Sequence, residues 1–268
     1  MTGSVETFQL SVQAAEAYES SFVPALFADW APHLVEAAGV AGGQAVLDVA
    51  CGTGVVARAA ADRMGGRGRV VGLDVNEGML AVAGRLRPDI GWRQGDAGDL
   101  PFGAGEFDVV LCQSALMFFP DRAGALREMA RVATAGGTVA VQVWDRLEAQ
   151  AGYGAMYDAF AGHLGGQASE LGGAYWALGD LDLLGSLFEA AGLRVAAART
   201  RVGAARFGSA TEAVATEIEA TPLAARIDQD TRRRLVEAGT AAIRRFEVDG
   251  GRAELPISGH LVVGTKAG

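Results

Sequence analysis

The stretch Val46-Leu47-Asp48-Val49-Ala50-Cys51-Gly52-Thr53-Gly54 limits the possible folds more than any other part of the chain. Its first half is a short apolar run ending at an acid, as in a buried strand. Its second half is a glycine turn, and Val55 to Met64 then reads as a helix with Val55, Val56, Ala59, Ala60 and Met64 on one face. A strand, a Gly-x-Gly turn and a helix start make a nucleotide-binding corner. The missing side chains let backbone approach a ligand, and the first helical N–H groups point at it. Asp74 closes a second apolar run, Val70-Val71-Gly72-Leu73, where an acid is placed to accept hydrogen bonds from a ribose diol.

Alone, Gly52-x-Gly54-x-x-Ala57 also fits the dinucleotide fingerprint. The longer string Leu47 to Gly54, followed by Gly72-Leu73-Asp74-Val75-Asn76-Glu77-Gly78-Met79-Leu80, resembles motifs I and II of the class I S-adenosylmethionine-dependent methyltransferases, in the small-molecule branch called type 11 or UbiE-like. The resemblance continues through Gly95-Asp96-Ala97, Phe107-Asp108-Val109-Val110, Phe118-Phe119-Pro120-Asp121 and Gly136-Gly137, between residues 40 and 145.

Strands are expected over Ala45–Ala50, Arg69–Asp74, Ile90–Gln94, Phe107–Cys112 and Thr138–Val143, with helices over Val55–Met64, Glu77–Arg85 and Arg122–Ala133. That alternation means an α/β fold with a doubly wound, mostly parallel sheet and a crevice at the strands' carboxyl ends. Upstream, Ser11–Tyr18 and Phe22–Ala38 read as helices, Pro24 suiting a first turn. Downstream come a helix over Ala149–His163, a bridge rich in glycine (Gly165, Gly166, Gly172, Gly173), a helix over Asp180–Ala191 closed by Gly192, and a strand over Leu193–Phe207. Ser209 and Glu212 form a capping box for Ala210–Glu219; Thr231–Phe246 is a further helix and Ile257–Thr265 a last strand. The resemblance implies a Rossmann-like seven-stranded sheet with its last strand antiparallel. It also implies lid helices over residues 1–40, a cofactor-binding core over 41–145, a helical cap with the remainder of the sheet over 146–207, a cap insertion over 208–253 and the last strand over 254–268.

Composition excludes several classes. The net charge is −9 and the one basic run is Arg232-Arg233-Arg234, which argues against nucleic acid as a partner. The only lysine is Lys266, so no Walker A motif exists and a Schiff-base enzyme is implausible. Cys51 and Cys112 make neither a disulfide framework nor a metal site. Met1 to Leu10 has no basic residue, and the longest apolar stretch, around Val109 to Phe119, is interrupted by Gln113 and Ser114. A cytoplasmic protein, off the membrane and monomeric or homodimeric, is the expectation.

The resemblance implies S-adenosyl-L-methionine as cofactor, S-adenosyl-L-homocysteine as product and a small organic acceptor methylated on O or C. Ala50, Cys51, Gly52, Thr53 and Gly54 would cradle the methionine portion, with Asp48 ordering that loop or meeting the amino group. Asp74 would take the ribose hydroxyls, with Val75, Asn76 and Met79 lining the adenosine. Asp96, in competition with Asp99, would accept from the adenine amine beside Gly95 and Ala97. Gln113 is either an amino-group partner or a simple strand-end polar residue, and Tyr18 and Phe27 are lid contacts. Phe22, Phe118, Trp144, Tyr153, Tyr157 and Tyr175, with Tyr18, are candidates for the substrate pocket. His163 is the candidate base wherever the acceptor must lose a proton. Asp/Asn-Pro-Pro-aromatic, the amine-methylating motif, is replaced by Gln113-Ser114-Ala115-Leu116, and the signatures of the quinone-ring enzymes are not evident. Two alternatives stay open. One is a protein that binds the cofactor without methylating; the other is an NAD-dependent oxidoreductase, disfavoured because no Tyr-x-x-x-Lys occurs.

Overall fold

The computed structural model describes residues 10–164, 173–220 and 227–268, so Gly165, Gly166 and Gly172 of the expected glycine bridge lie outside the described residues. Strands β1 (Ala45–Val49), β2 (Arg69–Asp74), β3 (Gly91–Gln94), β4 (Phe107–Gln113) and β5 (Ala133–Trp144) pair in parallel. With β6 (Leu193–Phe207) and β7 (Ala253–Lys266) they form one seven-stranded sheet in the order β3-β2-β1-β4-β5-β7-β6, its last strand antiparallel. Their Val- and Leu-rich runs are buried because helices α3 (Val55–Met64), α4 (Glu77–Leu86) and α5 (Arg122–Val132) cross over between parallel strands. The strand order reverses between β1 and β4, which opens a crevice at their carboxyl ends.

The last strand begins at Ala253, ahead of the expected Ile257, and two other expected elements differ more deeply. The helix expected over Phe22–Ala38 is divided: α1 (Val12–Ala17) runs into a π-helix over Tyr18–Phe27, and a turn separates it from α2 (Ala31–Ala37). Pro24 sits inside the π-helix, where its missing N–H and its ring disfavour regular α-helical bonding; Pro32 takes the first turn of α2 instead. Strand β5 begins at Ala133, ahead of the expected Thr138. Phe107 pairs with Ala133 and Val109 with Thr138, so a bulge absorbs Gly136 (φ 75°) and Gly137 within the strand.

The chain forms two compact units: Met1–Val143 with Leu181–Arg199 and His260–Gly268, and Trp144–Asp180 with Thr200–Gly259. In the first, Leu34, Val46, Val56, Met64, Leu111 and Leu261 belong to one buried cluster. Helix α7 (Leu181–Ala190) meets β7 where a Cβ on Gly264 would lie 2.7 Å from the Phe188 ring. In the second, α6 (Ala151–Leu164), α8 (Ala210–Ala220) and α9 (Gln229–Ile243) pack together. A Cβ on Gly239 of α9 would lie 2.8 Å from Val214 and 3.0 Å from Phe160, so glycine permits the close approach of all three. The expected Ser209 cap holds, its hydroxyl accepting from the Glu212 N–H at 3.0 Å. No helix among the described residues is long and apolar enough to cross a membrane.

Candidate functional site

The glycine turn is held by side chains from two strands. Asp74, at the end of β2, accepts from the Gly52 N–H with Oδ2 (2.8 Å) and from the Asn76 N–H with Oδ1 (2.9 Å). Asp48, 1 % exposed, accepts from the Ala57 N–H at 2.9 Å and so caps the first turn of α3 from β1. Asn76 caps α4 by accepting from the Met79 N–H at 3.0 Å. Each candidate acid thus orders local backbone, and each carboxylate oxygen retains further acceptor capacity.

Gly54 is small for a reason other than the one its motif suggests. A Cβ there would fall 2.3 Å from Trp92 Cη2, and one on Gly72 would fall 2.4 Å from Trp92 Cζ3. The Trp92 indole, fixed by its N–H donating to the Arg87 carbonyl at 2.9 Å, is the floor on which the turn rests. Backbone access to a ligand therefore falls to Gly52 (φ 54°), whose missing side chain leaves a gap 3.9 Å from Tyr18 Cε1. Trp92 was not identified from the sequence; the paired glycines at 54 and 72 were the available signal.

The crevice is lined by Tyr18, Asp48, Ala50, Gly52, Val55 and Gln113, with Phe27, Cys51 and Val56 completing the wall. Tyr18 stacks between Phe22 and Phe27, ring centroids 5.7 Å from each. Gln113, at the end of β4, donates from Nε2 to the Phe27 carbonyl at 3.1 Å, while its Oε1 is buried without a hydrogen-bond partner. The two non-glycine residues at positive φ among those described, Ala50 (φ 55°) and Ser114 (φ 52°), follow the ends of neighbouring strands β1 and β4. Such strain persists where surrounding bonds impose it, and it gathers at binding sites. Ser114 is held by its N–H to the Gln142 carbonyl (2.8 Å) and its hydroxyl to Gln142 Oε1.

The electrostatics favour a cationic guest. Burial, opposed by the Ala57 N–H and reinforced by the Asp74 charge, pushes the Asp48 carboxyl up to about 8. Burial also raises Asp74, against three backbone N–H groups that hold it down. The nearby cation, Arg58, is engaged by the Thr53 carbonyl (2.6 Å) and Glu19 (2.8 Å). Two desolvated carboxyls and the orphaned Gln113 oxygen suit a ligand bearing a positive group beside a hydroxylated one.

The remaining candidates divide between the units. Val75 is exposed at the start of α4 and Met79 is buried. The Gly95 N–H donates to the Asp74 carbonyl (3.1 Å), Ala97 is buried, and Asp96 accepts from the Gly98 N–H (2.7 Å) on an exposed turn. Phe118 is half-buried in a 3-10 turn after β4. Trp144, Tyr153, Tyr157 and Tyr175 belong to the second unit. There Tyr153 and Tyr157 share the buried face of α6, whereas His163, on the last turn of the same helix, is exposed. The structure does not bring His163 together with those tyrosines; it brings Glu217, which sequence reasoning missed, to Tyr157.

Residues 47–141 match the family described as a methyltransferase domain. Among curated relatives, the demethylmenaquinone methyltransferase of Renibacterium salmoninarum is 44% identical over 112 residues, 42% of this chain and 46% of that protein. The chain thus spans less than half the length of that relative. A Bacillus halodurans crystal structure whose methyltransferase name is provisional has a TM-score of 0.60 at 22% identity, covering 89% of this chain and 99% of its own. Phosphoethanolamine N-methyltransferase 2 of Haemonchus contortus, solved with S-adenosyl-L-methionine, gives 0.61 at 19% identity, covering 98% and 59%. The structural likenesses bear out the expected fold, and the family match and relative bear out the class I methyltransferase resemblance over the core segment.

Proposed function

We propose that the chain is an S-adenosyl-L-methionine-dependent methyltransferase acting on O or C of a small organic acceptor, with S-adenosyl-L-homocysteine as co-product. The observation that carries this reading is the crevice between β1 and β4. There, the buried Asp48 and the strained Ala50 face Gln113, whose Oε1 is unpartnered, and Asp74 of β2 reaches the same turn through the Gly52 N–H. When bound, the cofactor supplies a methyl group already activated on a sulfonium, so the protein has chiefly to hold, orient and dehydrate the reactants. In this reading Gly52 and its neighbours Ala50, Cys51 and Thr53 hold the methionine backbone. Gln113 Oε1 and Asp48 receive its ammonium, and Asp74 receives the ribose hydroxyls with acceptor capacity left over from Gly52 and Asn76. Val75, Asn76, Met79, Gly95, Asp96 and Ala97 border the adenine. Tyr18, Phe22 and Phe27 belong to a lid made by residues 1–40, and the core of residues 41–145 carries the cofactor. Trp144, at the end of that core, and Tyr153, Tyr157 and Tyr175 of the segment 146–207 are the candidate acceptor-binding groups, 208–253 is a cap insertion, and His163 is the candidate base. A net charge of −9 favours a small molecule over a polyanion as acceptor.

The test is to incubate the protein with methyl-labelled cofactor and a small-molecule extract, and to follow label by mass spectrometry. Label appearing in a new low-molecular-weight product supports the reading. Cofactor binding with no transfer to any component favours a non-methylating role, and binding of NAD in its place favours the oxidoreductase.

A further inference from the structure

The second unit holds a polar cluster that the cofactor crevice does not use. Helix α6 buries Tyr153, Tyr157 and Phe160, and α8 brings Glu217 against them, the Tyr157 hydroxyl donating to Glu217 Oε1 at 2.5 Å. The Tyr153 ring lies 5.4 Å from the Trp176 ring, and the Tyr157 ring 5.8 Å from that of Phe160. Tyr153 and Tyr175 are both close enough to feel the Glu217 charge. Among the described residues no arginine, lysine or histidine neutralises Glu217, and desolvation holds its carboxyl above the usual range. The Trp176 Nε1–H is buried with no acceptor among the described residues. Glu217, Tyr175 and Trp176 are each half-buried, whereas Tyr153 and Tyr157 are buried.

A desolvated carboxyl is costly unless a proton or a cation neutralises it. The faces of tyrosine and tryptophan rings carry negative quadrupole density and attract cations with apolar shells. Among the described residues, what this cluster lacks is therefore a positive charge, together with one oxygen to accept from the indole. We infer that Glu217 and the surrounding Tyr153, Tyr157, Tyr175 and Trp176 bind an organic ammonium that carries a hydroxyl or ether oxygen. The ammonium lies against Glu217 and the rings, and the oxygen accepts from Trp176 Nε1–H. That this ligand is the methyl acceptor rests on the methyltransferase reading; the binding site does not.

Choline, a quaternary ammonium with one hydroxyl, is the probe, and 3,3-dimethylbutan-1-ol is its uncharged isostere. Each is titrated calorimetrically into the full chain, with S-adenosyl-L-homocysteine titrated in parallel. Choline is expected to bind about tenfold or more tightly than the isostere. Glu217→Gln, nearly equal in shape, is expected to remove that preference while the midpoint of thermal unfolding and the S-adenosyl-L-homocysteine affinity stay as in the parent. Tyr157→Phe keeps the carboxyl and is expected to keep the preference. Equal binding of choline and the isostere, absence of choline binding, or a preference that survives in Glu217→Gln overturns the inference. The comparison of the two probes on the parent protein decides the matter even if Glu217→Gln fails to fold. Absence of S-adenosyl-L-homocysteine binding counts against the methyltransferase reading alone.

Discussion

Asp48 is a buried acid whose ionisation works against the fold. Its carboxyl is held at about 8 in the folded chain against an ordinary value of 3.8, so between those values the native state binds more protons than the unfolded state. Stability from this group is therefore present in full below pH 4 and falls as pH rises towards 8, by at most about 1.4 kcal/mol per pH unit. Asp48→Asn retains an oxygen for the Ala57 N–H and removes the titration. Its melting temperature is expected to exceed the parent's at pH 8, with the gap closing by pH 4, as thermal melts across that range will show. The same change should weaken binding of a cationic cofactor, because the charge that the guest would call out of Asp48 is gone. The sequence marked Asp48 as an acid that orders the loop or meets an amino group, but not as one held protonated by burial. Asp48 was legible as a strand-end acid, but its hydrogen bond to α3 and its proximity to Asp74 come from the folded geometry. Glu217 was less legible still, since its partner Tyr157 lies 60 positions away and nothing local marks the pair.

At the level of elements, the turn between β1 and α3 is only as well defined as the tryptophan beneath it. Gly54→Ala puts a methyl into Trp92 at a left-handed position and should destabilise the fold by about 2 kcal/mol or more. Trp92→Ala alone should cost about 2–3 kcal/mol, given its partial burial. Combined, they should cost less than their sum by about 1 kcal/mol, because the second change makes room for the first; denaturant titrations of the four proteins will measure this coupling. Strict additivity would mean that Trp92 does not set the turn. Local pattern revealed those elements whose signals are local. Helix α3 and strands β2 and β6 fall where apolar periodicity and flanking glycines put them. Periodicity was silent where the backbone departs from a regular repeat. The π-helix continues the apolar pattern of a normal helix across Pro24, and the Gly136-Gly137 pair fell outside the expected strand although β4 pairs on both sides of it.

In the whole molecule, the segment that carries the family match is not a self-sufficient fold. The first unit also needs Leu181–Arg199 and His260–Gly268, which add parts of β6 and β7 to the sheet and seat Phe188 against Gly264. A fragment ending at Val143 leaves the edge of β5 unpaired and removes Leu261 and Val263 from the core. It is expected to show no cooperative thermal transition by circular dichroism, although it contains all of residues 47–141. Whether the β1–β4 crevice holds the cofactor is decided by calorimetric titration of S-adenosyl-L-methionine into the parent chain and Asp74→Ala. Saturable binding of one cofactor per chain is expected, with none of NAD and an affinity at least about tenfold weaker in a folded Asp74→Ala protein. No binding to the parent, or equal affinity in the two proteins, would contradict it.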